Sequence, residues 1–535
     1  MATRPLAGRP RRASESWPNR GSALSRPDIL LRVAIVLLTA FGAFLRFFEI
    51  GHQGFWYDES YTVFLVKHGP GTMLGLIPQL ESTPPLYYCI AWVWARIFGF
   101  SPAALKSLSA VFGTLTIPVA YAAARKLLES RRAVMVLTAL TATSPLLVWY
   151  SQETRAYALL VLLSACTLVA FAYALENPRP RTLALWWLSC GLALTTHYYA
   201  VIAVVPEGAW LLYRHRRSRG VYAALAGVAA VGGALTPLAL AQIATRNNNW
   251  IANSSYLLRL RQVPALFLIG PETHLRILVK FLSFGVFALA VVLLFWQVRG
   301  RDRRGALIAG GLALAGFLLS AGPGYNTFLG RNLLPIWVPG AIFVAAGLGA
   351  ARARRVGLAA TVLMCAIGVT AVISVDTTYA FQRPNWAPVA RALGPWPAPG
   401  QSAADGRIVI VQDNPGILPL DIYLRDLNFI KTPVLHRVTE VDVIAALPHP
   451  GLGGFCWWGS ECNLVPSRLN RRYVIPGFHV VARKRIHDFG ILELRSVRPV
   501  TVLRSDLPVA RHRRHRHLVA TSHSPLQDAQ LIEQA

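Results

Sequence analysis

The sequence predicts a polytopic α-helical membrane protein of eleven spans, with interfacial helices in its first long loop and a small α/β domain after the last span. Three observations predict it. Apolar runs of about 20 residues, the length needed to cross hydrocarbon, recur between residues 29 and 375. The chain is 54% hydrophobic and its mean hydropathy is +0.42. Basic residues gather in alternate loops, the pattern of cytoplasmic loops in membrane proteins.

The first 28 residues are rich in Arg and Pro and lack a small-residue cleavage site, so they read as a disordered basic cytoplasmic leader. The apolar run that follows is then a retained anchor. The spans are 29–49, 103–124, 132–150, 156–175, 182–197, 199–213, 220–242, 275–297, 305–321, 333–350 and 355–375. Basic clusters punctuate them at Arg125–Arg132, Arg179–Arg181, Arg214–Arg219, Arg299–Arg304 and Arg352–Arg355. These set the N-terminus inside and everything after residue 376 outside. The formal charge of +29 is therefore topogenic. It points to the lipid bilayer as partner and not to nucleic acid.

Residues 86–98 pose the one ambiguity. If they crossed, every later basic loop would invert. Their 13 residues reach only about 20 Å as a helix, and Tyr87, Tyr88, Trp92 and Trp94 suit the headgroup region. They read as a helix lying at the outer interface. Residues 50–102 then form one external loop, and Ser151–Arg155 emerges on the same face.

Beyond residue 376 hydropathy falls, and residues 377–503 read as a small external α/β domain. Arg407–Val411, His479–Ala482 and Ile491–Leu494 are strand-like; Pro388–Leu393 and Leu418–Leu424 are helical candidates. Residues 394–400, Gly- and Pro-rich, make a linker or turn-rich loop. Residues 504–535 read as a disordered basic tail. Cys89, Cys166, Cys190 and Cys365 lie singly in apolar segments, as buried thiols do. Cys456 and Cys462 flank a five-residue loop in the external domain, where a disulfide between them is expected. No Cys or His spacing suits zinc.

Only 25 of the 535 residues are Asp or Glu, so acids at two membrane edges stand out. Trp56-Tyr57-Asp58-Glu59 follows the first span, and Ser151-Gln152-Glu153-Thr154-Arg155 follows the third. Either could be a helix start, where negative charge is favoured. Together with Thr83-Pro84-Pro85-Leu86-Tyr87-Tyr88 they resemble the motifs of bacterial GT-C membrane glycosyltransferases related to family 39, which include protein mannosyltransferase-like, aminoarabinose transferase-like and galacturonosyl transferase-like enzymes. Phe328–Pro335 resembles a later family segment, with Asn332 where Tyr is usual. Arg383-Pro384-Asn385-Trp386 resembles the opening of the family's external domain. The resemblance spans residues 30–395.

It implies a GT-C fold and transfer of a sugar from a polyprenyl-phosphate donor to a cell-envelope glycan, lipid or protein acceptor, on the outer face of a bacterial cytoplasmic membrane. Asp58 matches the family's first-loop acid, with Glu59 in reserve. Glu153 is by resemblance a second active-site acid that orients the acceptor or, with Asp58, holds a divalent cation; no other cofactor is implied. Tyr88 and Gln152, inside the motifs, are expected to bind substrate.

The chemistry agrees independently. A partly desolvated carboxylate suits removal of the acceptor's hydroxyl proton. Phosphate departs without a protonating acid, so one base and a single displacement give inversion. Arg155 and Arg331, at outer ends of spans, are candidates to hold the donor phosphate; anchoring at the interface would explain them too. His197 and Tyr198, at an outer turn, are substrate-binding candidates. The alternative is a transporter or flippase of a lipid-linked saccharide, which would call for internal repeats and paired charges at mid-bilayer; neither is found in the sequence.

Overall fold

The computed structural model describes residues 26–248, 251, 255–322, 328–395, 406–412, 417–424, 427–429, 434–446, 475–487, 489–503 and 529–534. Cys456 and Cys462, with their expected disulfide, lie outside these residues, as does most of the expected leader.

Helix α1 (Arg26–Phe47) leads into a loop carrying three short helices, α2 (Tyr57–Lys67), α3 (Pro70–Leu80) and α4 (Leu86–Phe98). Helix α5 (Pro102–Leu127) returns through the bundle, followed by α6 (Arg131–Thr143) and α7 (Pro145–Ser151). Next come α8 (Tyr157–Glu176), α9 (Pro180–Thr196), α10 (Val201–Arg214) and α11 (Arg219–Ala244). The series closes with α12 (Tyr256–Ile269), α13 (Arg276–Gln297), α14 (Gly300–Ser320), a 3₁₀ turn at Gly330–Ile336, α15 (Trp337–Leu348) and α16 (Arg354–Thr377).

Among the described residues, eight helices are long and apolar enough to cross a membrane; counting the bent pair α6 and α7 as one span makes nine. The remaining two expected spans are α9 and α10, with 17 and 14 residues. The figure of eleven rests on these two. Pro145 causes the 47° bend, since it has no N–H to give and forces the residue before it out of the helical region. Ser144 there has ψ 117°, and its hydroxyl accepts the Leu147 N–H at 3.3 Å, restarting the helix as α7. The chain thereby turns to deliver Ser151–Arg155 beside α2.

Two devices hold the bundle together. A Cβ on Gly347 of α15 would fall 2.0 Å from the Ala290 carbonyl oxygen of α13, so only glycine permits that approach. In α10, Glu207 is buried and accepts hydrogen bonds from Trp186 Nε1 of α9 at 2.9 Å and Thr167 Oγ1 of α8 at 3.0 Å. One carboxyl therefore ties three helices.

After a 3₁₀ turn at Tyr379–Phe381, α17 (Trp386–Leu393) opens the C-terminal domain. It contains β1 (Gly406–Gln412), α18 (Ile417–Tyr423), β2 (Leu427–Phe429), β3 (Val434–Ala446), β4 (His479–Ile486), β5 (Phe489–Leu503) and β6 (Ala529–Gln534), in a sheet of order β2-β6-β1-β3-β5-β4. Strands β1 and β3 run parallel; the other pairs are antiparallel. Side chains alternate between faces. Val409, Val411, Ile444 and Ile491 pack beneath α17 and α18, whereas Ile408, Ile410, Val441 and Val443 form the opposite core. The strand-like and helical segments expected from the sequence lie within these elements, except that α18 ends at Tyr423, one residue short of the expected Leu424. The expected tail needs correction: its end, β6, inserts between β1 and β2.

Two stability predictions follow from the bundle. Gly347→Ala should destabilise by about 1–3 kcal/mol through overpacking. Trp186→Phe, which deprives Glu207 of a donor, should cost about 1–3 kcal/mol. Thermal unfolding in detergent checks both; an unchanged midpoint in either variant contradicts the corresponding contact.

Candidate active site

Helix α2 places its first two acids on different sides, because successive helical residues point about 100° apart. Glu59 turns inward and is fully buried. Its Oε2 accepts the Trp56 N–H at 3.2 Å and sits 3.5 Å from Lys106 Nζ, and its Oε1 accepts the Thr154 N–H at 2.7 Å. Lys106, itself buried, donates to the carbonyls of Gln53 and Gly54 at 3.0 and 3.2 Å. Glu59 thus joins the loop before α2 to α5 and to the segment after α7.

Asp58 turns instead into a cavity of about 570 Å³. Its Oδ2 lies 3.0 Å from Arg331 Nη1, and both side chains remain 21% exposed. Arg331 comes from the 3₁₀ turn before α15, where Gly330 lets the backbone pass: a Cβ there would meet Leu266 at 2.4 Å. The guanidinium also lies over the Tyr157 ring, 5.7 Å from its centroid.

The rest of the cavity wall divides by chemistry. Val201, Ile202, Val205, Ala239, Ile243 and Leu319 supply an apolar flank from α10, α11 and α14. Tyr57, Tyr61, Glu81 and Arg155 contribute polar groups to the same lining. The Tyr57 and Tyr61 hydroxyls are 2.6 Å apart, and burial raises both above the usual phenol range, Tyr57 strongly. Arg155 grips Glu81 with two bonds, Nη1 to Oε1 at 2.6 Å and Nη2 to Oε2 at 2.8 Å.

Among the residues expected from sequence, Asp58, Arg155, Arg331, His197 and Tyr198 line this cavity. His197 Nδ1 accepts the Tyr199 N–H at 3.1 Å, and the Tyr198 hydroxyl donates to Gln242 Oε1 at 2.8 Å. Glu59, Glu153, Gln152 and Tyr88 do not line it. Gln152 donates to the Phe48 carbonyl at 2.9 Å, tying the end of α1, and the Tyr88 hydroxyl is 2.8 Å from Thr83 Oγ1.

Glu153 lies buried behind the cavity. Its Oε2 is 3.1 Å from Arg383 Nη2, while Oε1 has no hydrogen-bond partner among the described residues. Burial pushes this carboxyl above its ordinary range, and the Arg383 guanidinium opposes the shift. Arg383 stacks on Trp149, 3.9 Å from the ring centroid, and donates to the Trp149 carbonyl at 3.0 Å.

The pair expected to hold a divalent cation, Asp58 and Glu153, does not fit one. Each carboxylate faces a guanidinium, and among the described residues no group of three or more His, Cys, Asp or Glu is placed to hold a metal ion.

Sequence reasoning did not identify Glu81, Lys106, Tyr57 or Tyr61 as participants. The signal for the tyrosines was their i, i+4 spacing on α2, flanking Asp58. Nothing local marks Glu81.

Comparisons with known proteins bear on the fold. Residues 82–240 match the family model of dolichyl-phosphate-mannose-protein mannosyltransferases. No curated protein matches the chain in sequence. Among solved structures, ArnT from Cupriavidus metallidurans bound to undecaprenyl phosphate is similar at 14% identity, with 86% of this chain and 97% of that one covered and a TM-score of 0.50. The apo state of ArnT from the same organism also matches at 14% identity, over 87% of this chain and 98% of that one, with a TM-score of 0.51. The bundle, the helices of the first loop and the appended sheet domain are those expected from the sequence, and the chain is a multi-pass membrane protein with the GT-C fold.

Proposed function

We propose that this protein transfers a sugar from a polyprenyl-phosphate-linked donor to an acceptor hydroxyl of a cell-envelope glycan, lipid or protein, on the outer face of the bacterial cytoplasmic membrane. The observation that carries the reading is the half-open Asp58–Arg331 pair, 3.0 Å apart in a cavity lined by both apolar and polar side chains. A lipid-linked donor calls for both, having a hydrocarbon chain on one side of a phosphate and a sugar on the other. The undecaprenyl phosphate bound to the structurally similar ArnT lends the donor class support.

Arg331 meets the donor phosphate, whose oxygens compete with Asp58 for its N–H groups. Asp58, released from that contact, accepts the proton of the acceptor hydroxyl as the new C–O bond forms at the anomeric carbon. The bond from that carbon to the phosphate oxygen breaks on the opposite face. The lipid phosphate leaves with the electron pair, and configuration inverts. Tyr198 and His197 border the space where sugar hydroxyls would lie. The orientation is part of the proposal: residues 50–102, Ser151–Arg155 and the C-terminal domain face outward, with Arg214–Arg219 and Arg299–Arg304 inside.

Asp58→Asn keeps the size and should lower turnover by about 10²–10⁴-fold in reconstituted membranes while the protein stays folded. Near-normal turnover would move the base elsewhere and defeat this mechanism. Arg331→Ala should weaken donor binding by about 1.5–3 kcal/mol, seen as a raised KM for the donor. A single cysteine at position 129 should be labelled only after permeabilisation; labelling from outside overturns the orientation.

A further inference from the structure

We infer that Glu81 is a positioning residue for the transfer: through Arg155 it holds the first turn of α2, and with it Asp58, in reacting register. The inference rests on the proposed transferase reading and deepens it. Glu81 caps the C-terminus of α3, its N–H donating to the Ile77 carbonyl at 3.1 Å. Both of its oxygens receive Arg155, at 2.6 and 2.8 Å, and the two side chains are 3% and 12% exposed. The same guanidinium reaches α2: Nη1 donates to the main-chain carbonyl of Asp58 at 3.2 Å and lies 3.5 Å from Thr62 Oγ1. One cation therefore joins three segments, namely the end of α3, the start of α2 and the turn after α7.

The two guanidiniums of the cavity consequently differ in availability. Arg331 meets its carboxylate, Asp58, where that side chain is 21% exposed. Arg155 is held in a two-point fork by a carboxylate that is 3% exposed. A phosphate that captured Arg155 would strand the Glu81 charge in the wall, the costly way to break a buried pair. Arg155 therefore serves the geometry of the base, and the donor phosphate goes to Arg331. Misplacement of a reacting group by about 1 Å is enough to cost about 10²-fold in rate, so the clamp should be visible in turnover.

The test uses full-length protein in proteoliposomes. Binding is read with undecaprenyl phosphate as the probe. Turnover is read with whichever member of a panel of polyprenyl-phosphate hexoses and pentoses the wild type uses. Glu81→Gln should lower kcat by about 10²-fold and leave undecaprenyl phosphate affinity within about threefold, less than the tenfold that 1.4 kcal/mol represents. Glu81→Asp should recover part of the rate. Should Glu81→Gln fold poorly, the double change Glu81→Gln with Arg155→Gln removes both buried charges and should show the same loss of kcat with affinity kept. Tenfold weaker probe binding with kcat unchanged would return Arg155 to the phosphate and overturn the inference. Unchanged kcat in the folded variants would overturn it too. Retained turnover in Asp58→Asn, by contrast, would sink the assignment of the base, whatever the Glu81 variants do to undecaprenyl phosphate binding.

Discussion

Four carboxylates lie in or behind the cavity wall, in the first loop and the turn after α7, and each has a cation against it: Asp58 with Arg331, Glu59 with Lys106, Glu81 with Arg155, and Glu153 with Arg383. Removing one partner from a buried pair is far more damaging than the pair is stabilising, because the survivor is left charged in a medium that cannot solvate it. The partners come from different segments, so satisfying each charge fixes one segment against another. The polar wall is thus a consequence of pairing. Hydrophobic packing could hold these helices together, but it would not set the register between them.

The four pairs also divide by exposure. Three of them have a carboxylate that is 3% exposed or less, while Asp58 and Arg331 each retain 21%. The pairs in the wall hold the frame around the one that faces the cavity. A ligand anion entering there finds a single guanidinium that it can win over without stripping a buried acid of its partner.

How much of this could be read from the chain follows the range of the interaction. Spans, basic loops and the helix at 86–98 are local patterns of hydropathy and charge, and they carried over to the structure as helices in the expected order. Asp58 and Arg331 could be singled out as unusual residues at membrane edges. Their pairing could not, since 273 positions separate them. The same holds for Glu81 and Arg155, 74 positions apart, and for Glu153 and Arg383, 230 apart. Glu59 shows the converse limit. It neighbours Asp58 in a motif, but one step along a helix points it into the protein, and adjacency in sequence says little about which of two acids meets the cavity. Strands β2, β3 and β6 were missed; β3 alternates Glu440-Val441-Asp442-Val443, but its acids lie on a buried face beside Arg407, where an apolar residue would be expected.

Arg383 lies at the point where the membrane bundle ends and the sheet domain begins. The neighbouring Gly54 is so close to that domain that a methyl group on it would fall 2.3 Å from Asn385 Oδ1 and 2.7 Å from the Tyr423 hydroxyl, and Phe55 donates its N–H to the same Tyr423 at 2.8 Å. The soluble domain is therefore not a passenger that could be exchanged between homologues at a convenient linker. A chimera cut just after α16 would take the counterion away from Glu153 and the backing away from the loop that carries Asp58. Bundle and domain must diverge together, as two halves of one folded unit.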